Sequence, residues 1–128
     1  MYRPIGAVAS PITEPLRPER MRGVEARLVL EPRFAAAAAA LAAGQLLWVV
    51  YHLQRAPAWH DEHLPELFTR RTASRPNPIG VTLVEVVAVE DSTITVTGMD
   101  AVDGSPVLDV KPYKPVYDQP PVRPGDKE

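Results

Sequence analysis

The chain has 128 residues and a mass of 14.0 kDa, which predicts one domain and leaves no room for a second core. It contains no cysteine and only three histidines, so disulfide scaffolds and cysteine nucleophiles are excluded and a zinc enzyme is disfavoured. The formal net charge is −2, but residues 1–75 carry 10 basic and 7 acidic groups whereas residues 76–128 carry 4 and 9. We therefore expect a polyanion to bind the first part of the chain more favourably than the second.

The first predicted elements are two short strands and one helix. Ile5–Ser10 and Ala26–Glu31 are rich in the apolar and β-branched residues typical of strands. Arg33–Ala43 consists almost entirely of strong helix formers, with Pro32 at its start and Gly44 as a natural stop. We therefore predict one helix over Arg33–Ala43.

The same region includes Phe34–Leu53, a run of twenty residues without a charge, which is the length that a membrane-spanning helix needs. Much of the run is alanine, which contributes little to insertion, and Gly44-Gln45 interrupts it. We interpret it as the predicted helix followed by a strand over Leu46–Leu53 in a soluble domain. Met1–Pro4 lacks the pattern of a secretory signal, so the expected compartment is the cytoplasm.

The second half of the chain adds three predicted strands. Val81–Glu90 and Thr93–Gly98 flank Asp91-Ser92, which predicts a two-residue hairpin turn. Val107–Val110 predicts one more short strand before Pro112. Residues 57–78 and 115–128 are predicted to be loops.

Many short strands, one Ala-rich helix and fifteen prolines predict a mainly-β fold and argue against a helical bundle. The expected architecture is a small single-domain β-barrel or closed sheet. We assign this domain to residues 1–118 and predict a disordered tail over residues 119–128.

The first candidate functional segment is Arg70-Arg71-Thr72-Ala73-Ser74-Arg75-Pro76-Asn77-Pro78-Ile79-Gly80. Its two Pro-flanked steps keep the backbone extended, so the loop is expected to be stiff. A stiff loop that presents arginines and free N–H groups suits the binding of an anion or a polar ligand. A rigid crossover with solvated arginines is an equally weighted alternative.

The second candidate segment spans residues 103–113. Asp103-Gly104 is a turn signal, and Ser105-Pro106 leads back into a strand. Asp109 and Lys111 share one face of that strand, opposite Leu108 and Val110. By themselves they indicate an exposed ion pair more than a site.

Other candidates are weaker. His60-Asp61-Glu62-His63 places two histidines three residues apart, but two ligands make a poor metal site and a solvated loop is favoured. Trp48 and Tyr51 are interpreted as core or interface aromatics.

Together the two segments resemble the TrmO/TsaA family, which comprises tRNA N6-threonylcarbamoyladenosine methyltransferases and their short relatives. The resemblance depends on the six residues Arg75–Gly80 and the eleven residues Asp103–Tyr113. Tyr2–Pro11 is similar to the opening strand of the family, and Leu47–His52 to a later strand. The similarity covers most of residues 2–118 in order and approximate spacing.

The resemblance implies a small β-barrel that binds S-adenosylmethionine without a Rossmann fold. It also implies a homodimer with ligand sites near the subunit boundary. Arg17 stands where the family has glutamine, and Gln54-Arg55 stands where the family usually has a pair containing histidine. The implied cofactor contacts are Pro15, Leu16, Arg17, Gln54, Arg55, Arg71, Gly80, Val81, Asp103, Gly104, Ser105 and Pro106.

The implied reaction is methyl transfer to N6 of threonylcarbamoyladenosine in tRNA, next to the anticodon. Because the lone pair of that nitrogen is delocalised, its proton must leave during or before attack. We expect Asp103 or Asp109 to take the proton or to orient the acceptor, with Lys111 setting the local charge. Arg71 and Arg75 are expected to bind a carboxylate of the cofactor or of the threonyl group. The expected substrate contacts are Arg75, Asn77 and Tyr113.

Two other functions stay open. One is a methyltransferase that acts on a small molecule, which the departures at Arg17 and Gln54 would fit. The other is a cofactor-binding module without catalysis. Binding of tRNA at two salt concentrations distinguishes the tRNA enzyme from both.

Overall fold

The computed structural model describes residues 1–14, 20 and 23–121. Within these residues the chain forms strands with a few short helices. The strands are β1 (Gly6–Ala9), β2 (Glu25–Leu30), β3 (Leu46–His52), β4 (Ile79–Glu90), β5 (Thr93–Thr97) and β6 (Pro106–Pro112). The helices are α1 (Ala35–Ala39) and α2 (Pro115–Asp118), with 3-10 turns at Pro32–Phe34 and Asp61–Glu66. Each predicted strand is present, with both ends within two residues of the prediction.

The strands close into a barrel in the order β1-β2-β5-β4-β3-β6, which confirms the predicted fold class. Every neighbouring pair is antiparallel. Strands β1, β3 and β5 therefore all end at the same end of the barrel, where β2, β4 and β6 begin. We call this the loop end, because the connections 53–78 and 98–105 lie there. The opposite end, called the turn end, carries the connections 31–45 and 91–92.

Alternating side chains fill the barrel. In β2, the inward residues Ala26, Leu28 and Leu30 are buried while Arg27 and Val29 are exposed. This alternation is the two-residue period of a strand with one face on a core. The neighbouring strands contribute further core residues, among them Val8, Leu47, Val49, Val84, Val86, Ile94, Val96 and Val107.

The predicted helix over Arg33–Ala43 is shorter in the structure, with a 3-10 turn followed by the five residues of α1. Ala38 is the buried residue of α1. Alanine side chains offer little apolar area, so packing against the barrel stabilises only a short helix here. From Ala40 the chain turns back, and the Gly44 N–H donates to the Val86 carbonyl at 2.8 Å. Among the described helices, none combines the length and hydropathy of a membrane span.

The predicted hairpin turn at Asp91-Ser92 is confirmed, since these two residues connect β4 to β5. Asp91 adopts a left-handed φ of 53°, which short polar residues tolerate best after glycine. The loop prediction for 115–128 was wrong at α2, where Pro115 begins the helix and the Asp118 carboxylate accepts the Lys114 N–H at 2.7 Å. The prediction for 57–78 also missed the 3-10 turn at Asp61–Glu66. The predicted tail lies outside the described residues from residue 122 onward.

An irregularity in β6 changes the predicted facing of its side chains. Val50 pairs with Asp109, but Tyr51 pairs with Val107, so Leu108 is an extra residue on β6. As a result Val107, which is 0% exposed, faces the core together with Val110. Regular alternation had predicted that Leu108, and not Val107, would share the inward face with Val110.

Candidate functional site

At the loop end, residues that follow β1 and β3 contact the second candidate segment. Gln54, two residues after β3, donates through Nε2 to the backbone oxygen of Asp103 at 3.0 Å. Asp103 Oδ1 accepts the backbone N–H of Ser10, directly after β1, at 3.0 Å. These contacts join the ends of β1 and β3 to the β5–β6 connection.

The Asp103–Pro106 turn is held by backbone contacts. Gly104 has a φ of +83°, a conformation that L side chains rarely adopt, and its N–H donates to the Val8 carbonyl at 2.7 Å. The buried Ser105 hydroxyl donates to the Val102 carbonyl at 2.6 Å. These contacts hold the turn through its backbone and through Ser105, and the side chain of Asp103 is exposed at the loop end.

A second set of contacts joins β3, β4 and the β5–β6 connection through the side chain of Tyr51. Tyr51 faces the core near the end of β3 and is 4% exposed. It pairs with Gly80 on β4, and a Cβ built on Gly80 would lie 2.5 Å from Tyr51 Cζ. The missing side chain at Gly80 therefore provides the space for the ring. The Tyr51 hydroxyl donates to Asp100 Oδ1 at 2.7 Å, which ties β3 to the β5–β6 connection.

The arginines of the β3–β4 connection have different surroundings. Arg71 donates through Nη2 to the Val81 carbonyl at 3.1 Å and lies near enough to Tyr51 for its charge to act on the phenol. Arg75 donates through Nη1 to the Arg70 carbonyl at 3.0 Å and through Nη2 to the Leu67 carbonyl at 2.7 Å. The guanidinium of Arg75 thus braces the loop that carries Arg71.

The remaining signature residues of this loop lie at its surface. Asn77 is exposed, and its backbone carbonyl accepts the Ile79 N–H at 2.8 Å. Arg55 is exposed, next to Gln54.

A groove of about 590 Å³ lies beside Asp103 at the loop end. This volume is in the range of small-molecule sites. Arg27 and Asp103 give its wall charges of both signs. The groove is lined by Ala9, Ser10, Pro11, Glu25, Ala26, Arg27, Thr95 and Asp103.

A second cavity of about 340 Å³ lies within the β3–β4 connection, where Trp59, His60, His63 and Arg70 contribute to its lining. Both histidines are exposed, and His63 Nε2 lies 3.6 Å from Glu62 Oε1. In the part of the chain that the structure describes, no three histidine or carboxylate side chains are grouped as metal ligands.

Three predicted site residues lie away from the loop end. Asp109 and Lys111 form the expected exposed ion pair, with Lys111 Nζ 2.7 Å from Asp109 Oδ2, on the outer face of β6. Tyr113 follows β6 at the turn end, where its N–H donates to the Leu46 carbonyl and its ring lies 6.2 Å from that of Trp48. The predicted contacts Pro15, Leu16 and Arg17 lie outside the described residues.

A sequence profile of the tRNA-methyltransferase O (TrmO) N-terminal domain matches residues 8–119. The chain belongs to this family. It is 31% identical to a probable S-adenosyl-L-methionine-binding protein of Pyrococcus abyssi, over 91% of this chain and 70% of the relative. It is 35% identical to the tRNA (adenine(37)-N6)-methyltransferase of Escherichia coli, over 89% of this chain and 57% of that enzyme. The predicted family is thus confirmed.

The fold also matches that of a solved TrmO. The crystal structure of TrmO from Pseudomonas aeruginosa superposes with a TM-score of 0.77 at 29% identity. The match covers 100% of this chain and 62% of that one, so this chain spans about three fifths of the solved TrmO protein.

In this TrmO-family chain, no motif in the sequence pointed to Asp100, and Tyr51 was expected to be only a core or interface aromatic. Tyr51 is indeed a core residue, but its hydroxyl also holds a carboxylate. A signal was available in Gly80, since glycine inside a strand often marks a close approach by another group. The approaching group could be named only from the β3–β4 register.

We predict that the stability of the fold falls above pH 10 partly because of Tyr51. Burial raises the pKa of Tyr51, as do its hydrogen bond to Asp100 and the Asp100 charge, while the Arg71 charge lowers it. A raised folded-state pKa means that the stabilisation is complete below the unfolded value of about 10 and is lost as pH rises towards the folded value.

The measurement is denaturant unfolding at about pH 8 and about pH 11. Tyr51→Phe should lose less stability between these two pH values than the wild type. Tyr2→Phe alters a phenol that is 90% exposed and is the matched control. Equal losses in the wild type and Tyr51→Phe would contradict the prediction.

Proposed function

We propose that this TrmO-family chain is an S-adenosylmethionine-dependent methyltransferase that modifies N6 of an adenine in tRNA. The acceptor is the threonylcarbamoylated adenosine beside the anticodon. The observation that carries the proposal is that Tyr51, packed over Gly80, holds Asp100 in the β5–β6 connection while Gln54 holds Asp103 in the same connection. The names of the relatives from Pyrococcus abyssi and Escherichia coli support the cofactor and the reaction class.

The side chains at the loop end suit S-adenosylmethionine, which carries a carboxylate, two cationic groups and ribose hydroxyls. Arg71 would hold the carboxylate through guanidinium nitrogens that have no partner among the described residues. Asp103 would bind a cationic or hydroxyl group through Oδ2, since Oδ1 accepts from Ser10. When bound, the cofactor supplies a methyl group made electrophilic by the sulfonium.

The other proposed cofactor residues shape the site around these two charges. Gln54 presents a carboxamide oxygen beside Asp103, because its Nε2 is used on the Asp103 carbonyl. Backbone segments complete the wall, with exposed Arg55 at its edge. The backbone residues proposed for this wall are Gly80, Val81, Gly104, Ser105 and Pro106.

The residues of the chain position the acceptor nitrogen and remove its proton. Displacement at a methyl group requires the acceptor nitrogen in line, with water excluded. Asp103 has a free oxygen with which to orient the acceptor or take its proton. The role of Asp109 with Lys111 stays a prediction, tested by whether Asp109→Asn lowers turnover without weakening cofactor binding.

We include a homodimer and a cytoplasmic location in the proposal. Asp109, Lys111 and Tyr113 lie on the outer face of β6 and at the turn end, away from the loop end of their own chain. A second copy packed across this face would bring them to a site near the subunit boundary. In that arrangement Tyr113 would join the loop residues Arg75 and Asn77 as a substrate contact.

Calorimetric titration with S-adenosylmethionine and S-adenosylhomocysteine tests the cofactor. We expect micromolar binding near one site per chain, and a loss of about tenfold or more in Arg71→Ala, because a charge-assisted contact to a carboxylate is removed. Arg33→Ala is the matched control, since Arg33 pairs with Glu31 at 2.8 Å at the turn end. No binding up to millimolar ligand would contradict the proposal.

The acceptor is tested separately. Transfer of a labelled methyl group to tRNA carrying threonylcarbamoyladenosine is expected, with weaker tRNA binding at higher salt. Cofactor binding with transfer only to small metabolites would contradict the tRNA substrate and favour the small-molecule enzyme.

A further inference from the structure

We infer that Asp100, held by Tyr51, is the carboxylate that accepts the proton of the acceptor nitrogen during methyl transfer. The inference rests on the proposed function and names a residue of the same site. Asp100 lies in the β5–β6 connection at the loop end, three residues before Asp103.

The surroundings of Asp100 favour contact with a ligand. Its side chain is half-buried between the buried residues Met99 and Ala101. No arginine, lysine or histidine forms an ion pair with it among the described residues. Carboxylates removed from water are nearly always paired with a donor or a cation. Asp100 has one neutral donor, the Tyr51 hydroxyl at 2.7 Å on Oδ1.

The second oxygen of Asp100 is available. In the part of the chain that the structure describes, Oδ2 accepts no hydrogen bond from the protein. The position of the carboxylate is nevertheless fixed, because the Tyr51 ring is 4% exposed and lies against the backbone of Gly80. A fixed carboxylate with one free oxygen can receive an N–H group in a defined direction.

Of the two alternative carboxylates, Asp103 also has a free oxygen, which the proposed function assigns to a group of the cofactor, and Asp109 has a cationic partner. Asp103 Oδ1 holds the Ser10 N–H and thereby the start of the β1–β2 connection. Asp109 contacts Lys111 at 2.7 Å on the outer face of the barrel. Of these three carboxylates, Asp100 is the one that accepts a hydrogen bond from a core side chain, that of Tyr51.

The proposed step conserves atoms and charge. The lone pair of the adenine N6 forms the bond to the methyl carbon, and the carbon–sulfur bond breaks, with its electrons staying on sulfur. The N6 proton passes to Asp100 Oδ2, which gives a neutral carboxylic acid that later releases the proton to water. Tyr51 is a positioning residue, since its hydroxyl contacts Asp100 and not the substrate.

The test uses the full chain with modified tRNA. Asp100→Asn should lower kcat by about a hundredfold or more, the range for a lost proton acceptor. The affinity for S-adenosylhomocysteine, measured by calorimetry, and the KM for tRNA should change less than about threefold. Tyr51→Phe should lower kcat by about tenfold, because the carboxylate remains but loses its fixed position.

Two further variants separate proton transfer from a structural role. Asp100→Ala should recover at least several-fold in rate when formate is added, because formate replaces the missing carboxylate. Asp91→Asn is the matched control, because Asp91 is exposed at the turn end and its φ of 53° suits asparagine. Its kcat should equal that of the wild type.

The outcomes are distinct. Wild-type kcat in Asp100→Asn overturns the inference alone, as does a loss of S-adenosylhomocysteine affinity as large as the loss in kcat. Absence of rescue by formate in a folded Asp100→Ala variant also overturns it. A wild-type chain that binds no S-adenosylhomocysteine, or methylates no tRNA, contradicts the proposed function, and the inference falls with it.

Discussion

Replacing Gly80 with alanine is expected to destabilise the barrel by about 3 kcal/mol, at the upper end of the usual cost of overpacking. The new Cβ would lie 2.5 Å from Tyr51 Cζ and 2.9 Å from both Cε atoms. The ring cannot move aside cheaply, because it is 4% exposed and its hydroxyl is held by Asp100. Displacing it would also disturb the loop end, so methyl transfer should fall with stability.

Equilibrium unfolding in urea measures the effect of Gly80→Ala as a change in midpoint at constant slope. Gly23→Ala is the matched control, because a Cβ there meets no atom within 4 Å among those described. That control should stay within about 0.5 kcal/mol of the wild type. A Gly80→Ala protein as stable as Gly23→Ala would show that Tyr51 does not occupy the space over β4.

Truncating Leu28 to alanine is expected to cost about 3 to 4 kcal/mol. Leu28 is 0% exposed in β2 and lies in the core, opposite Val8 on β1 and Ile94 on β5. The barrel is closed by strands on both sides, so the walls cannot collapse easily into the cavity that the substitution leaves.

Val29→Ala is the matched control for Leu28→Ala. Val29 is the next residue in the same strand and is 44% exposed, so its truncation should cost less than about 1 kcal/mol. Urea unfolding of both variants measures the difference. A larger cost at Val29 than at Leu28 would place β2 one residue out of register, since such a slip exchanges the two faces of a strand.

Several elements could be predicted locally because their physical cause is local. Alternation in Ala26–Leu30 marks a half-buried strand, and Asp91-Ser92 between two apolar runs marks a hairpin turn. The length of α1 could not be predicted this way. Helix propensity in Arg33–Ala43 favours a longer helix, but the return of Gly44 to the edge of β4 ends it early.

In the candidate site, too, some features could be predicted from the sequence and others could not. The motifs Arg75–Gly80 and Asp103–Tyr113 were enough to recognise the family, and the resemblance nominated Arg71, Gly80 and Asp103. The sequence could not show that Asp109, Lys111 and Tyr113 lie apart from these residues, because nearness in the chain says little about which end of a barrel a residue reaches.

The strands, the hairpin turn and the family were predictable because each depends on short-range pattern or on motifs that are contiguous in the chain. Which residues meet at the loop end depends on the tertiary structure. Closure of an all-antiparallel barrel sends alternate strand ends to one side, which brings Gln54 to Asp103 and Tyr51 to Asp100. The β3–β4 register and the extra residue in β6 then decide which side chains face inward, and neither has a local cause.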